Sequence, residues 1–161
     1  GVRAGALVFN GMSELSIQER LYPTIKCFGC GHANPGGLHL ESYLAPGGSR
    51  AAFTPAPIHD NGLGFVNGGI LATILDCHTA SVVMHEADAR GYLVPGGPPL
   101  AFVTAGFDVK FLRPTPLGPA LELWAEAEKI DESDAIVLGE VREGGKVRVT
   151  MRATWKRFRP R

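Results

Sequence analysis

NGLGFVNGGILATILD, Asn61 to Asp76, packs four glycines into its first nine residues and then runs apolar to a single carboxylate. The Gly68–Gly69 pair opens a predicted helix over roughly 68 to 87. Ile70, Leu71, Ala72, Ile74, Leu75, Ala80, Val82, Val83 and Met84 make that helix apolar nearly all round. Such a helix must be covered on most sides. A curved sheet covers one side, and a second subunit is expected to cover more.

Working outward, the rest of the chain supplies the sheet. SELSIQERL (13–21) reads as a short helix capped by Ser13 or Ser16, with Ser16 and Glu19 at capping-box spacing. LHLESYLA (38–45) and SRAAFTP (49–55) read as two strands around a Pro-Gly-Gly turn. After the helix, LAFVTAGFDVKFL (100–112) is long, alternating and rich in Phe and Val, which predicts a central strand. ALELWAEAEKI (120–130) has helical propensity, but Leu121, Leu123, Ala125 and Ala127 alternate with polar or bulky neighbours, and period two favours strand. AIVLGEVRE and KVRVTMRATWKRF are joined through Gly144–Gly145 as a hairpin. The expected fold class is α+β: one antiparallel sheet with the long helix on one face, and a short N-terminal helix. Residues 1–11 carry little pattern and read as a frayed leader. The whole chain, 1–161, reads as a single domain.

Composition narrows the function classes. Lys+Arg and Asp+Glu are equal at 16 each, so broad electrostatic binding to nucleic acid or an acidic membrane is not expected. No uncharged apolar run reaches the ~18 residues that span a bilayer, and no signal-peptide pattern opens the chain. Three cysteines make no disulfide framework. A cytoplasmic protein is the expectation.

The helix start carries the chemistry. Its first N–H groups lack intrahelical partners, Gly68 and Gly69 allow a ligand close to that backbone, and the dipole favours negative charge there. This is how an oxyanion hole forms without a charged residue. Asp76 lies eight residues beyond Gly68, about 12 Å along one helix. One carbonyl cannot contact both in a single subunit, so joint action requires Asp76 from a second chain. The plainer account of a lone Asp in an apolar helix is a satisfied core group, and of the glycines a tight entry into a helix.

These residues resemble the signature of hotdog-fold acyl-CoA thioesterases of the phenylacetate-pathway type, in which Gly-Gly opens the central helix and an Asp follows. CFGCGHANPGGLHL, VTAGFDVKFLRPTPLG and VRVTMRATWKRF resemble further stretches of that family, in the expected order over roughly 27–157. The resemblance implies a hotdog fold, a long central helix wrapped by a curved antiparallel sheet. It also implies a homodimer or dimer of dimers with sites at the interface, and hydrolysis of an acyl-CoA. By position it assigns Asp76 as general base or nucleophile, the Gly68 N–H as carbonyl donor, and Asn61 as a polar support near the attacking water. One position departs: where the family has His before Gly-Gly, this chain has Asn67, which can hydrogen-bond but cannot transfer a proton near neutral pH.

Other candidates are weaker. Asn67 and Gly69 flank the donor. His59 lies near the loop. Phe65, with Leu63, Met84 and Phe102, would shape an acyl pocket. Thr104 and Ser81 would line it or simply pack. Arg113 and the basic tail, Lys156, Arg157 and Arg159, are cations of the kind coenzyme A phosphates need. Cys27 and Cys30 form a C-x-x-C with His32 nearby, but zinc needs a fourth ligand such as His39 or a shared site, so a structured loop is the reading and no metal or cofactor is expected. His78 and His85 read as core or surface residues. Two functions follow: thioester hydrolysis, or, because of Asn67, a non-catalytic acyl-CoA sensor. A hotdog dehydratase fits less well, since its His with a following acidic residue is not seen.

Overall fold

A computed structural model describes residues 8–9 and 12–161 of the chain. Of the expected leader, only Val8–Phe9 lies among the described residues, as a short strand (β1) paired with Met12–Ser13 (β2). Helix α1, Ile17–Leu21, follows. The Ser16 hydroxyl accepts from the Glu19 N–H at 3.0 Å, and the Glu19 carboxylate accepts from the Ser16 N–H at 2.8 Å, completing the capping box read from the sequence.

Six strands form one antiparallel sheet in the order β3-β4-β6-β7-β8-β5. They are β3 Ser42–Ala45, β4 Gly48–Phe53, β5 Phe102–Phe111, β6 Leu121–Ile130, β7 Asp134–Glu143 and β8 Lys146–Arg157. Helix α2, Gly68–Ala89, lies on one face. It runs two residues past the predicted end, and Leu71, Ile74, Leu75, Val82, Val83, Met84 and Ala87 are buried against the sheet. The sheet returns Leu121, Leu123, Ala125, Val137, Val141, Val149 and Ala153 to the same core. No helix among the described residues is long and apolar enough to cross a membrane. Gly144 (φ 59°) and Gly145 (φ 73°) both take the left-handed conformation of a tight hairpin turn between β7 and β8.

Three expectations change. The strand predicted from Leu38 begins only at Ser42, because the N–H groups of Leu38 and Leu40 bond instead to the Phe28 and Gly29 carbonyls of the preceding loop, at 2.8 and 2.9 Å. The burial alternation of β6 stops before Ala127, which is exposed, where the register shifts between Ala127 and Lys129. The largest change concerns β5, predicted as central. It pairs with β8 alone among the described residues and is an edge strand, with Phe107 and Phe111 41% and 51% exposed. Only Phe102 of its ten residues is buried, so its Phe- and Val-rich alternation is left without a cover within one chain.

A candidate active site at the start and middle of the long helix

The loop before α2 is built by its own side chains. The Asp60 carboxylate accepts from the N–H groups of Gly62 (2.6 Å) and Gly64 (3.1 Å), and Asn61 Oδ1 accepts from those of Leu63 (2.8 Å) and Phe65 (3.3 Å). Gly62 and Gly64 sit at φ 93° and 83°, which a side chain would strain. Asn61 is therefore a loop former on an exposed stretch of the chain. His59 is half-buried: its Nδ1 accepts from the Ala56 N–H at 2.9 Å, its ring lies 5.7 Å from that of Phe53, and its carbonyl accepts from the Asn67 N–H at 2.8 Å. His59 thus places the residue that starts the helix.

Asn67 is the N-cap. Its Oδ1 accepts from the Gly69 N–H at 2.8 Å, so the side chain is spent on the helix backbone. The N–H of Gly68 has no acceptor among the described residues. Phe111 packs over this point, its ring 3.3 Å from where a Cβ on Gly68 would stand. Phe65, Leu63 and Leu112 are exposed close by in sequence or pairing, Phe65 bridging to Pro116. Arg113, at the end of β5, is exposed on the segment that pairs with this loop through Thr115.

Two turns further along, Asp76 is half-buried and its Oδ1 accepts from the Thr104 hydroxyl of β5 at 2.7 Å. Burial pushes its carboxyl above the ordinary carboxylate range. The Thr104 bond opposes the shift and the negative charge of Cys27 adds to it. Asp76 and Thr104 stand in the wall of a cavity of about 290 Å³ whose other walls include Val83, Met84, Leu100 and Phe102. Gly68, Asn61 and Phe65 do not line this cavity. Within one chain, the helix-start donor and the carboxylate face separate places.

The same cavity exposes groups that sequence reading did not gather. Cys27, Cys30, Cys77, Tyr22 and Trp155 also line it. The Cys27 sulfur lies 3.6 Å from the Cys77 sulfur, and hydrogen bonding with Cys30 and Cys77 outweighs burial to hold the Cys27 thiol far below the usual range. Interaction with Cys27 pushes Cys30 up to about 12, and Cys77 is also pushed up by Cys27 and Cys30. The Tyr22 phenol is raised by burial and by the neighbouring sulfurs. Tyr22 and Cys77 lie 55 positions apart in the chain, which is why no local motif announced them.

The remaining candidates have structural roles. His78 is fully buried, with Nδ1 2.8 Å from the Ser42 hydroxyl and Nε2 3.1 Å from the Ser49 carbonyl, and burial lowers its pKa to about 4. Ser81 donates to the His78 carbonyl at 2.6 Å in the same core network, away from the cavity. His85 meets Arg20 at 3.0 Å. His39, offered as a zinc ligand, bonds the Asn34 carbonyl instead. Glu19, His32 and Glu41 also converge, but Glu19 caps α1 and Glu41 pairs with His32 at 3.3 Å and Tyr43 at 3.0 Å.

Solved structures share this architecture. A phenylacetic acid degradation-related protein of Ralstonia eutropha is 26% identical, covers 77% of this chain and 89% of its own, and superposes with a TM-score of 0.62. A thioesterase superfamily protein of Shewanella loihica is 26% identical over 80% of this chain and 98% of its own, at a TM-score of 0.60. A Bacillus halodurans protein solved with CoA is similar in fold at 22% identity, 77% coverage of each chain and a TM-score of 0.61. No curated protein matches the sequence. The thioesterase superfamily model matches residues 63–151, more than half of the chain and the part that runs from the glycine loop through α2 into β8. A glycine-opened helix carrying a half-buried aspartate, laid on a six-stranded antiparallel sheet, thus agrees with the match in sequence: the chain belongs to the thioesterase superfamily.

Proposed function

We propose that the chain hydrolyses an acyl-CoA thioester to the free acid and CoA, with sites completed across a homodimer. The observation that carries the reading is a pair of groups on one helix: an unpartnered Gly68 N–H at its start and a desolvated Asp76 in a cavity wall two turns on. In the reaction, ionised Asp76 takes a proton from water as the water oxygen bonds to the thioester carbon, or attacks that carbon itself, in which case water then hydrolyses the resulting acyl–aspartyl anhydride to the free acid and restores Asp76. The Gly68 N–H stabilises the negative charge that develops on the carbonyl oxygen. Collapse breaks the carbon–sulfur bond and the CoA thiolate leaves, to be protonated. Asn61 supports the carbonyl and water, and Gly69 keeps the backbone open. Asn67 and His59 set the helix start. Phe65 and Thr104 border the acyl group and the carboxylate. Arg113 faces the phosphates of CoA.

The ~12 Å between Gly68 and Asp76 along α2 is the geometric argument for two chains. The edge strand β5 supports it, since exposed Val103, Phe107 and Phe111 on an unpaired edge favour a second copy over water. A sheet continued through β5 makes that strand central, as its sequence reads. CoA in the Bacillus halodurans relative is consistent with a CoA thioester as substrate. The decisive experiment mixes Gly68→Pro and Asp76→Asn chains. Each homodimer should release thiol at least ~10²-fold more slowly than the parent over an acyl-CoA panel, whereas the heterodimer holds one intact site. No recovery in the mixture overturns the shared site.

A second reading, an acyl-CoA sensor, is favoured by Asn67, which caps the helix and cannot shuttle protons. Tight acyl-CoA binding without thiol release by the unmodified chain would establish it instead.

A further inference from the structure

All three cysteines of the chain converge from two segments on one point, Cys27 and Cys30 from the loop before β3 and Cys77 from the middle of α2. Their sulfurs lie within 4.8 Å of one another, and Cys27 Sγ is 3.6 Å from Cys77 Sγ. That spacing is far beyond a disulfide's ~2.05 Å. It is close to the ~3.8 Å edge of a tetrahedron whose metal–sulfur bonds are about 2.3 Å. We propose that Cys27, Cys30 and Cys77 hold a thiophilic divalent cation of the zinc class, with its fourth position facing the cavity.

The loop is shaped to deliver the sulfurs. Gly31 N–H bonds the Cys27 carbonyl at 2.8 Å, closing a tight C-x-x-C-G turn. A Cβ on Gly31 would stand 2.4 Å from the Cys27 nitrogen, and one on Gly29 would stand 2.2 Å from Cys77 Sγ. The turn therefore needs hydrogen at both positions to bring its cysteines against the helix. Leu38 and Leu40 stitch the far side of the loop to Phe28 and Gly29, so backbone hydrogen bonds within the chain hold the arrangement. Cys30 and Cys77 are 3% and 5% exposed, and thiolates select soft or borderline cations over magnesium or calcium.

An independent observation marks the open side. Tyr22, 2% exposed, lines the same cavity, and its hydroxyl has no hydrogen-bond partner among the described residues. Buried hydroxyls without a partner are rare and costly. A water or anion in the fourth position gives this hydroxyl its partner. Three protein ligands with one open position is the coordination of a zinc ion that keeps an exchangeable site. Its place beside Asp76 ties the loop to α2 at the residue on which the proposed hydrolysis depends.

The test uses the full chain, reduced and stripped with a chelator, then titrated with Zn2+ or Cd2+. One ion per chain is expected. Cd2+ should raise a sulfur-to-metal charge-transfer band, and all three thiols should become unreactive to a thiol reagent. Cys27→Ser, at a half-exposed position, should keep the far-UV spectrum of the parent and weaken binding by at least ~100-fold, more than losing an outer partner does. Cys77→Ser should act likewise, but Cys27→Ser decides if that buried variant fails to fold. Free thiols at saturating metal overturn the site. So does binding unchanged in Cys27→Ser, or a two-cysteine disulfide in a chain that binds no metal once reduced. None of these readouts depends on thioester hydrolysis.

Discussion

Replacing Gly68 by proline removes one hydrogen-bond donor and disturbs little else. Gly68 is the first residue of α2, where proline is favoured because its fixed φ suits the helix and its missing N–H has no intrahelical partner. Asn67, at ψ 133°, already has the extended backbone that a residue before proline requires. The Gly68 N–H bonds nothing among the described residues, so no hydrogen bond is lost on folding. The new Cβ meets the Phe111 ring at 3.3 Å, and that ring is half-exposed. The stability change should therefore stay within about 1 kcal/mol. Loss of one oxyanion donor costs ~10²–10³ in kcat, or about 3–4 kcal/mol of transition-state stabilisation. Gly68→Ala is the control: it makes the same Cβ contact and keeps the N–H. Thiol release from an acyl-CoA that the parent turns over, read beside thermal melts, should show Ala near the parent and Pro slower by two to three orders of magnitude. A proline variant that melts normally and turns over within tenfold of Gly68→Ala refutes the donor role.

Four further outcomes follow. Asp76→Asn should slow turnover by ~10²–10⁴ while raising Tm at neutral pH. The folded state raises this carboxyl's pKa, so its contribution to stability is present in acid and lost as pH rises through the folded pKa. The gain from Asn should vanish in acid, and a neutral-pH Tm below the parent's contradicts the burial argument. For His78 the sign is opposite: its pKa is lowered from 6.5 to about 4, so stability is full above 6.5 and declines toward pH 4 by about 3 kcal/mol. Denaturant melts of His78→Gln should lose that slope. Asn67→Ala deletes the acceptor for the Gly69 N–H and should cost ~1 kcal/mol, with Asn67→Asp restoring it. A melt in which Ala equals Asn would mean the cap contributes nothing. Gly29→Ala drives a methyl to 2.2 Å from Cys77 Sγ and should cost ~1–3 kcal/mol, read by chemical denaturation.

Local pattern carried much of this protein. The Ser16–Glu19 box, the glycine-opened helix, the period-two reading of Leu121–Ala125 and the Gly144–Gly145 hairpin are each set by neighbours within a few residues, where propensity and hydrogen-bond geometry act. Asp76 stood out for the same reason, as a charge in an apolar run. Arrangement between distant segments was decided by packing alone. Thr104 meets Asp76 from 28 positions away, and Cys77 meets Cys27 from 50. Neither spacing has a sequence signature, because both depend on how α2 seats on the sheet and how the Gly29–Gly31 turn fits beneath it. The clearest divergence is β5. Its alternating, Phe- and Val-rich residues read as a central strand, whereas the order of strands, settled by which edges one chain can pair, leaves it at the edge.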